Sequence, residues 1–144
     1  MFGRVELVVS ELYYAQEVIL KLSKKRQAIY DKSGGKCWYC GCELVKGWHA
    51  DHFYPIRRSD PKWKGSFRDC EHPEHDTEEN KVPACASCNI MKSQMSIEDF
   101  RSCIAQFVES LNLYTNQYKF AKRYGLVKET GLEVKFWFEE NNAR

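Results

Sequence analysis

The chain has 144 residues, enough for one domain with a buried core, and its 43% hydrophobic and 29% charged residues are ordinary for a globular protein. No stretch contains the roughly 18 uninterrupted apolar residues of a membrane span, and the N-terminus lacks a signal-peptide pattern. We therefore expect neither membrane insertion nor export, but a cytoplasmic protein. A formal charge of +2 excludes a strongly basic protein, so any nucleic-acid surface must be local.

The first predicted element is a helix over residues 11 to 31, which Ser10 would cap and residues 33 to 35 would end. A short strand is predicted around 49 to 53, and Pro55 would end it. The helix is predicted because four apolar residues recur at helical spacing: Leu12, Ala15, Ile19 and Leu22.

The next stretch changes from basic to acidic. Residues 56 to 68 are predicted to form a basic loop, in which cationic groups would contact phosphates and Trp63 would stack on a base. A solvated charged face is the alternative for each cation. Residues 69 to 79 contain six acidic residues and no Lys or Arg. The candidate nucleic-acid contacts are Arg57, Arg58, Lys62 and Lys64, together with Lys92 further along the chain.

The remaining residues are predicted to be mainly helical. A short helix is expected over residues 84 to 92, and a longer one that begins after Ser96. Residues 134 to 138 are rich in β-branched and aromatic side chains and are predicted to form a terminal strand. The mixed elements predict an α+β fold in a single compact domain over residues 1 to 144. The apolar face of the longer helix would consist of Ile97, Phe100, Ile104, Phe107 and Leu111.

Two CxxC pairs predict a metal. The chain has seven cysteines, an odd number for a disulfide framework, and paired thiols in a reducing compartment usually bind metal. Buried free cysteines or a redox CxxC are the alternative. Cys42 and Cys103 are interpreted as a turn residue and a core residue on a helix face. The predicted ligands of a tetrahedral structural Zn²⁺ are Cys37, Cys40, Cys85 and Cys88.

The sequence around and between these pairs resembles the HNH nuclease signature. The matching residues are Ala50-Asp51-His52-Phe53-Tyr54-Pro55 and Glu79-Asn80-Lys81-Val82-Pro83-Ala84, which continue through Cys85-Ala86-Ser87-Cys88-Asn89-Ile90-Met91-Lys92. The pattern is similar to the HNH variant with Asn in third place, as in CRISPR effector nucleases, and many phage-encoded HNH nucleases share the zinc pairs. The resemblance covers residues 34 to 95, which leaves 1 to 33 as a helical extension and 96 to 144 as a C-terminal helix plus strand.

The resemblance implies a ββα-metal (His-Me finger) fold and an endonuclease that cuts double-stranded DNA in a bacterial or phage-infected cell. His52 matches the general base. Asp51 and Asn89 match the ligands of one catalytic divalent ion, Mg²⁺ or Mn²⁺. Asn80 matches the residue that pins the loop after the first strand and thereby orients the base. The oligomeric state is left open, and a monomer is compatible with the sequence.

The same residue types suit phosphodiester hydrolysis on chemical grounds. A neutral imidazole can take a proton from water near neutral pH, and a carboxylate with an amide oxygen suits Mg²⁺. Adjacent strand residues point to opposite faces, so Asp51 and His52 can flank a phosphate from two sides.

Other interpretations stay open beside this one. Cys70, His72 and His75 have a spacing that can seat a second zinc ion, with Asp76 as a further ligand, although a solvated acidic loop is the alternative. We predict that this group is not part of the catalytic centre. His49 lies on the same strand face as Asp51, where a structural use is expected. The competing functions are a non-catalytic zinc module that binds nucleic acid and a nuclease that processes RNA.

Overall fold

The computed structural model describes residues 22 to 57 and 70 to 142. Within these ranges the chain has an α+β architecture, as predicted, with one small antiparallel sheet and several helices. In chain order the elements are α1 (Lys24–Asp31), β1 (His49–His52), a 3₁₀ turn (Pro73–His75), β2 (Lys81–Ala84), α2 (Ala86–Lys92), α3 (Ile97–Ala105), α4 (Phe107–Tyr114), α5 (Asn116–Arg123) and α6 (Trp137–Glu140).

Helix α1 matches only the last part of the helix predicted over residues 11 to 31, and the prediction of one unbroken helix is wrong, because residues 22 and 23 are not helical and Ser23 begins a new helix. The predicted cap Ser10 and the first half of that helix lie outside the described residues. Ser23 caps α1, since its hydroxyl accepts a hydrogen bond from the Arg26 N–H at 3.4 Å. The predicted stop is confirmed, because two glycines with positive φ follow the helix. At Gly35 a Cβ atom would lie 2.5 Å from the Tyr30 hydroxyl, so this turn requires glycine.

Strands β1 and β2 pair antiparallel, with His49 opposite Ala84 and His52 opposite Lys81. Because the sheet has two strands, both are edges, and β2 can contain Pro83, which has no N–H to donate. The carbonyl of Pro83 accepts a hydrogen bond from the Trp38 N–H at 2.8 Å, on the side away from β1. Because β2 extends to Ala84, the helix predicted over residues 84 to 92 begins two residues later than expected. This helix, α2, packs against β1.

The core of the described residues is mainly aromatic. Tyr39 makes edge contacts with Phe100 and Phe136, with ring centroids 5.6 and 5.8 Å apart. Trp38 stacks on Phe138 at 5.9 Å. Aromatic rings bury large apolar areas and prefer such offset or edge geometries. The first CxxC segment is thus anchored between α3 and the residues around α6.

Two C-terminal predictions need correction. Ser96 caps α3 as predicted, by accepting from the Asp99 N–H at 3.1 Å, but the expected long helix is interrupted at Gln106. The terminal strand predicted over residues 134 to 138 is wrong, because α6 begins within it. Instead, the Trp137 N–H donates to the backbone carbonyl of Tyr39 at 2.8 Å, and the Phe138 N–H donates to that of Trp38 at 3.1 Å. Aromatic residues are common in strands because they pack on half-buried surfaces. Here they pack on the first CxxC segment instead, so no strand pairing is needed to bury them.

Arg101 on α3 fixes the C-terminal segment. Its guanidinium pairs with the carboxylate of Glu139 and donates to the Val134 carbonyl at 2.6 Å. The hydrogen bond from Arg101 to Glu139 lowers the pKa of Glu139. Among the described residues, no helix combines the length and the hydropathy needed to cross a membrane.

Candidate functional site

Four cysteine sulfurs lie close enough together to hold a metal. The Sγ atoms of Cys37, Cys40, Cys42 and Cys85 are all within 4.8 Å of one another. Cys88, the fourth predicted ligand, is not one of these four residues, but its thiol interacts with that of Cys37. We call these five residues the cysteine cluster. A set of four thiolates is the donor set that a structural zinc ion prefers, so the cluster can bind such a metal.

The backbone around the cysteine cluster favours thiolates. The N–H of Cys85 donates to Cys37 Sγ at 3.3 Å, and the N–H of Cys88 donates to Cys85 Sγ at 3.4 Å. The hydrogen bond from the Cys88 thiol, with backbone donors, lowers the pKa of Cys37 to about 4 against the opposing effect of burial, and the same pairing raises the pKa of Cys88. Burial raises the pKa of Cys40, so it is the convergence of four sulfurs, the donor set of structural zinc, that fits a metal centre.

Cys42 is more than the turn residue that the sequence suggested. Its Sγ lies beside those of Cys40 and Cys85, and burial together with the Cys40 thiol raises the pKa of Cys42 to about 12. Gly41 makes the turn between the two cysteines, with φ +73, and a Cβ there would lie 2.5 Å from the Trp137 ring. The signal for this fifth cysteine was its position two residues after a CxxC pair.

Asp51, His52 and Asn89 line one cavity of about 400 Å³. β1 supplies the first two residues and α2 supplies the third, so the pairing of the strands and the packing of α2 bring them together. Arg57 lies at the same cavity and is exposed. We call this space the Asp-His-Asn cavity. Three of the four residues matched to the HNH signature therefore share one concave site.

The Asp51 carboxylate is buried, with 7% exposure, and it is held by two donors. Its Oδ2 accepts a hydrogen bond of 2.5 Å from the Tyr39 hydroxyl and lies 3.0 Å from Lys92 Nζ. Lys92 also donates to the His52 carbonyl at 2.9 Å. Tyr39 belongs to the first CxxC pair, so one side chain connects the cysteine cluster to the Asp-His-Asn cavity.

The prediction that Lys92 contacts a phosphate is wrong. Its exposure is 0%, and its ammonium group is held between Asp51 and the His52 backbone. The physical reason is the position of Lys92 in the last turn of α2, which places its stem over the Tyr39 ring, with Nζ 5.8 Å from the ring centroid. Buried lysines need such a partner, and this one neutralises the buried carboxylate.

His52 is held by a carboxylate that the sequence did not single out for this purpose. His52 Nε2 lies 2.9 Å from Asp76 Oδ1, and Lys81 Nζ lies at the same distance from that oxygen. Hydrogen bonds from His52 and Lys81 lower the pKa of Asp76. The acidic stretch in the sequence was the only signal for Asp76. An imidazole that donates through Nε2 has its basic lone pair on Nδ1.

Asn80 does not line the Asp-His-Asn cavity but lines a separate one with Tyr54 and His75. Its Oδ1 accepts from the Tyr54 N–H at 2.9 Å, and its Nδ2 donates to the carbonyls of Tyr54 at 2.8 Å and His75 at 2.7 Å. Asn80 thus ties the loop after β1 to the 3₁₀ turn. Its expected effect on the orientation of His52 stays a prediction.

Asn89 is connected to the strand through His49. Asn89 Nδ2 lies 2.7 Å from His49 Nδ1, so the amide donates and the imidazole accepts. His49 therefore has the structural use that the sequence favoured. An amide that donates through its nitrogen presents its oxygen as the atom able to bind a cation.

The other predicted residues are distributed as follows. Arg57 is exposed, whereas Arg58, Lys62 and Lys64 lie outside the described residues. Cys70 is buried and does not belong to a metal-binding group in the described chain, while His72 and His75 converge with Glu74. In the structure, Glu74 therefore takes the place of Cys70 in the second possible metal-binding group that the sequence suggested.

Comparisons with protein-family models, with curated proteins and with solved structures found no match. The function is therefore proposed from the residues and their geometry.

Proposed function

We propose that the protein is a metal-dependent endonuclease of the HNH type, which hydrolyses phosphodiester bonds in double-stranded DNA. The observation that carries this proposal is the Asp-His-Asn cavity, in which Asp51, His52 and Asn89 meet. The elements β1, β2 and α2 follow one another in the order that a ββα-metal core requires. A binding module has no need for a base, a carboxylate and an amide in one cavity.

His52 is the proposed general base. Its imidazole, held through Nε2 by Asp76, takes the proton from the attacking water. The Asp76 carboxylate stabilises the imidazolium that forms. Asn80 acts through the backbone, because it fixes the chain that leaves β1 directly after His52. General bases of this kind typically contribute about 10²- to 10⁴-fold to the rate.

Asp51 and Asn89 would hold the catalytic Mg²⁺ or Mn²⁺. When bound, such an ion stabilises the negative charge that develops on the phosphate and on the leaving oxygen. Lys92 already neutralises part of the charge on Asp51, at 3.0 Å from Oδ2. We therefore expect weak Mg²⁺ binding, with cleavage that requires millimolar rather than micromolar metal. Asn89→Ala should raise the metal concentration needed for half-maximal cleavage.

The cysteine cluster is the proposed structural zinc centre. We assign Cys37, Cys40, Cys85 and Cys88 as ligands, because each CxxC pair can direct both sulfurs to one ion. Cys42 is then a neighbouring thiol outside the ligand set. This zinc would fix the position of Tyr39, which lies between the first two ligands and donates to Asp51. Arg57, with Arg58, Lys62 and Lys64 in the same basic stretch, would contact DNA phosphates.

The test is cleavage of supercoiled plasmid in Mg²⁺ and in Mn²⁺, with linear duplex, single-stranded DNA and RNA offered in parallel. We expect metal-dependent nicking of duplex DNA by the wild-type protein and a strongly reduced rate for Asn89→Ala. Asn116→Ala is the matched control, because this asparagine is exposed on α5 and does not line the cavity.

Three outcomes contradict the proposal. Binding of DNA without cleavage at any metal concentration would favour the non-catalytic zinc module. Preference for RNA over DNA would favour the processing nuclease. Equal rates for the Asn89 and Asn116 variants would remove the Asp-His-Asn cavity from the mechanism.

A further inference from the structure

We propose that His72, Glu74 and His75 form a second metal site, separate from the cysteine cluster and the Asp-His-Asn cavity. We call these three residues the His-Glu-His group. One ligand atom from each residue lies within 4.8 Å of the other two. The site would take a divalent transition ion such as Zn²⁺, with water in the remaining coordination position.

The distances within the His-Glu-His group fit a single small ion. His72 Nδ1 lies 3.0 Å from Glu74 Oε1, and His75 Nε2 lies 3.9 Å from the same oxygen. Tetrahedral zinc with bonds of about 2.1 Å separates its ligand atoms by about 3.4 Å. The two observed distances lie on either side of that value, so small side-chain rotations would bring all three atoms onto one ion.

The local backbone explains why the two imidazoles meet. Pro73 begins the 3₁₀ turn that ends at His75, and His72 directly precedes this turn as its N-cap. The rings of His72 and His75 are stacked, with centroids 4.9 Å apart and an interplanar angle of 24°. The turn presents both rings on one side, beside the carboxylate between them.

His75 is oriented as a metal ligand by its hydrogen bonds. Its Nδ1 lies 2.9 Å from the Pro55 carbonyl, which can only accept, so Nδ1 carries the proton and Nε2 carries the lone pair. Ligating histidines usually donate their other N–H to a carbonyl or carboxylate, which fixes the ring and its tautomer. The carbonyl of His75 also accepts from Asn80 Nδ2 at 2.7 Å. This ligand is therefore positioned by contacts outside the group.

The donor types define the class of ion. Two imidazoles favour zinc, copper, nickel or iron over Mg²⁺ or Ca²⁺, which prefer sets of oxygen ligands. Glu74 is exposed and the two histidines are half-buried, so solvent can complete the coordination. Three protein ligands with an open position are typical of exchangeable or catalytic sites rather than closed structural ones.

An ion at this site would act close to the proposed base. Asp76 directly follows His75 and accepts the hydrogen bond from His52. Binding at His75 would restrict the backbone that positions the Asp76 carboxylate. The metal site itself does not depend on the proposed nuclease activity, since it stands on the contacts of the His-Glu-His group alone.

The test is a calorimetric titration with Zn²⁺ of the full chain, purified with zinc in its cysteine cluster and without DNA. We expect one Zn²⁺ ion bound by the wild-type protein to bind at least about tenfold more weakly in Glu74→Gln, because one ligand loses its charge, whereas any Zn²⁺ held by Asp51 and Asn89 stays bound in that variant. Glu71→Gln is the matched control, since Glu71 is exposed in the same acidic stretch and does not belong to the group.

His75→Ala should also abolish the further binding event, while circular dichroism reports whether each variant is folded. The proposal is overturned if the wild-type protein binds no further Zn²⁺. It is also overturned if both glutamine variants weaken binding equally, because the ion would then respond to the general acidity of the loop. Since ions are counted without any cleavage assay, a failure here is distinct from a failure of the proposed nuclease.

Discussion

Replacement of Lys92 by Met tests the buried ion pair on which the candidate site depends. Lys92 Nζ lies 3.0 Å from Asp51 Oδ2, and both side chains are excluded from solvent. Met preserves most of the stem but removes the ammonium group. Asp51 would then keep the Tyr39 hydroxyl as a donor and lose its only cation among the described residues.

The expected cost follows from the burial of the pair. Removal of one partner from a buried pair typically costs about 3–5 kcal/mol, because the other charge stays buried without compensation. For a chain of about this size, 1 kcal/mol lowers Tm by about 2–4 °C, so Lys92→Met should lower Tm by about 6–20 °C. The double variant Asp51→Asn with Lys92→Met removes both charges and should recover about 1–3 kcal/mol of the summed single losses.

The assay is thermal unfolding followed by circular dichroism, on zinc-loaded protein at neutral pH. Lys25→Met is the control, because its side chain is 81% exposed, and we expect no measurable change in Tm. A Lys92 variant as stable as the control would refute the reasoning, as would strict additivity in the double variant. The same argument means that activity losses in Asp51 variants require folding controls.

Three further predictions concern the base, the zinc and the C-terminal segment. His52→Ala should lower the nicking rate by about 10²- to 10⁴-fold, while Tm and DNA affinity stay near wild type, and an unchanged rate would exclude His52 as the base. Elemental analysis should find zinc lost from Cys88→Ser but retained in Cys42→Ser, and the reverse result would exchange their roles. Since Arg101 lowers the folded-state pKa of Glu139, the pair stabilises the fold above the unfolded pKa of about 4.3 and loses this contribution as the pH falls. The Tm difference between wild type and Glu139→Gln should therefore shrink from pH 6 to pH 3, and a constant difference would contradict this assignment.

Structural features that depend on residues close together in the chain could be predicted from the sequence. Ser96 was recognised as a helix cap, and the glycines after α1 were recognised as a helix stop. The strand predicted over residues 134 to 138 failed, because β-branched and aromatic residues report partial burial rather than a ladder of hydrogen bonds. At Phe136 that burial comes from contact with Tyr39 and Phe100, which no local pattern reveals.

In the candidate site, too, some features could be predicted from the sequence, whereas others depend on tertiary contacts. The order and spacing of Asp51, His52 and Asn89 indicated a common site, and all three line one cavity. The burial of Lys92 was not predictable, since lysine is almost always solvent-exposed and only its tertiary partner makes burial tolerable. The contact between Asp76 and His52 depends on the path of the chain between β1 and β2, which spacing alone does not define.

The chain between β1 and β2 is held at both ends, and this has a consequence for the entropy of closing that connection. The sulfurs of Cys40 and Cys85 lie 3.9 Å apart. Between these two cysteines in the sequence, His52 at the end of β1 pairs with Lys81 at the start of β2. The connection over residues 53 to 80 therefore has fixed ends. For a flexible connection, doubling its length costs only about 0.6 kcal/mol in closure entropy. A longer connection between these two ends would therefore cost little in closure entropy. If the basic residues of this connection contact DNA, substrate preference can diverge there while the cysteine cluster and the Asp-His-Asn cavity stay unchanged.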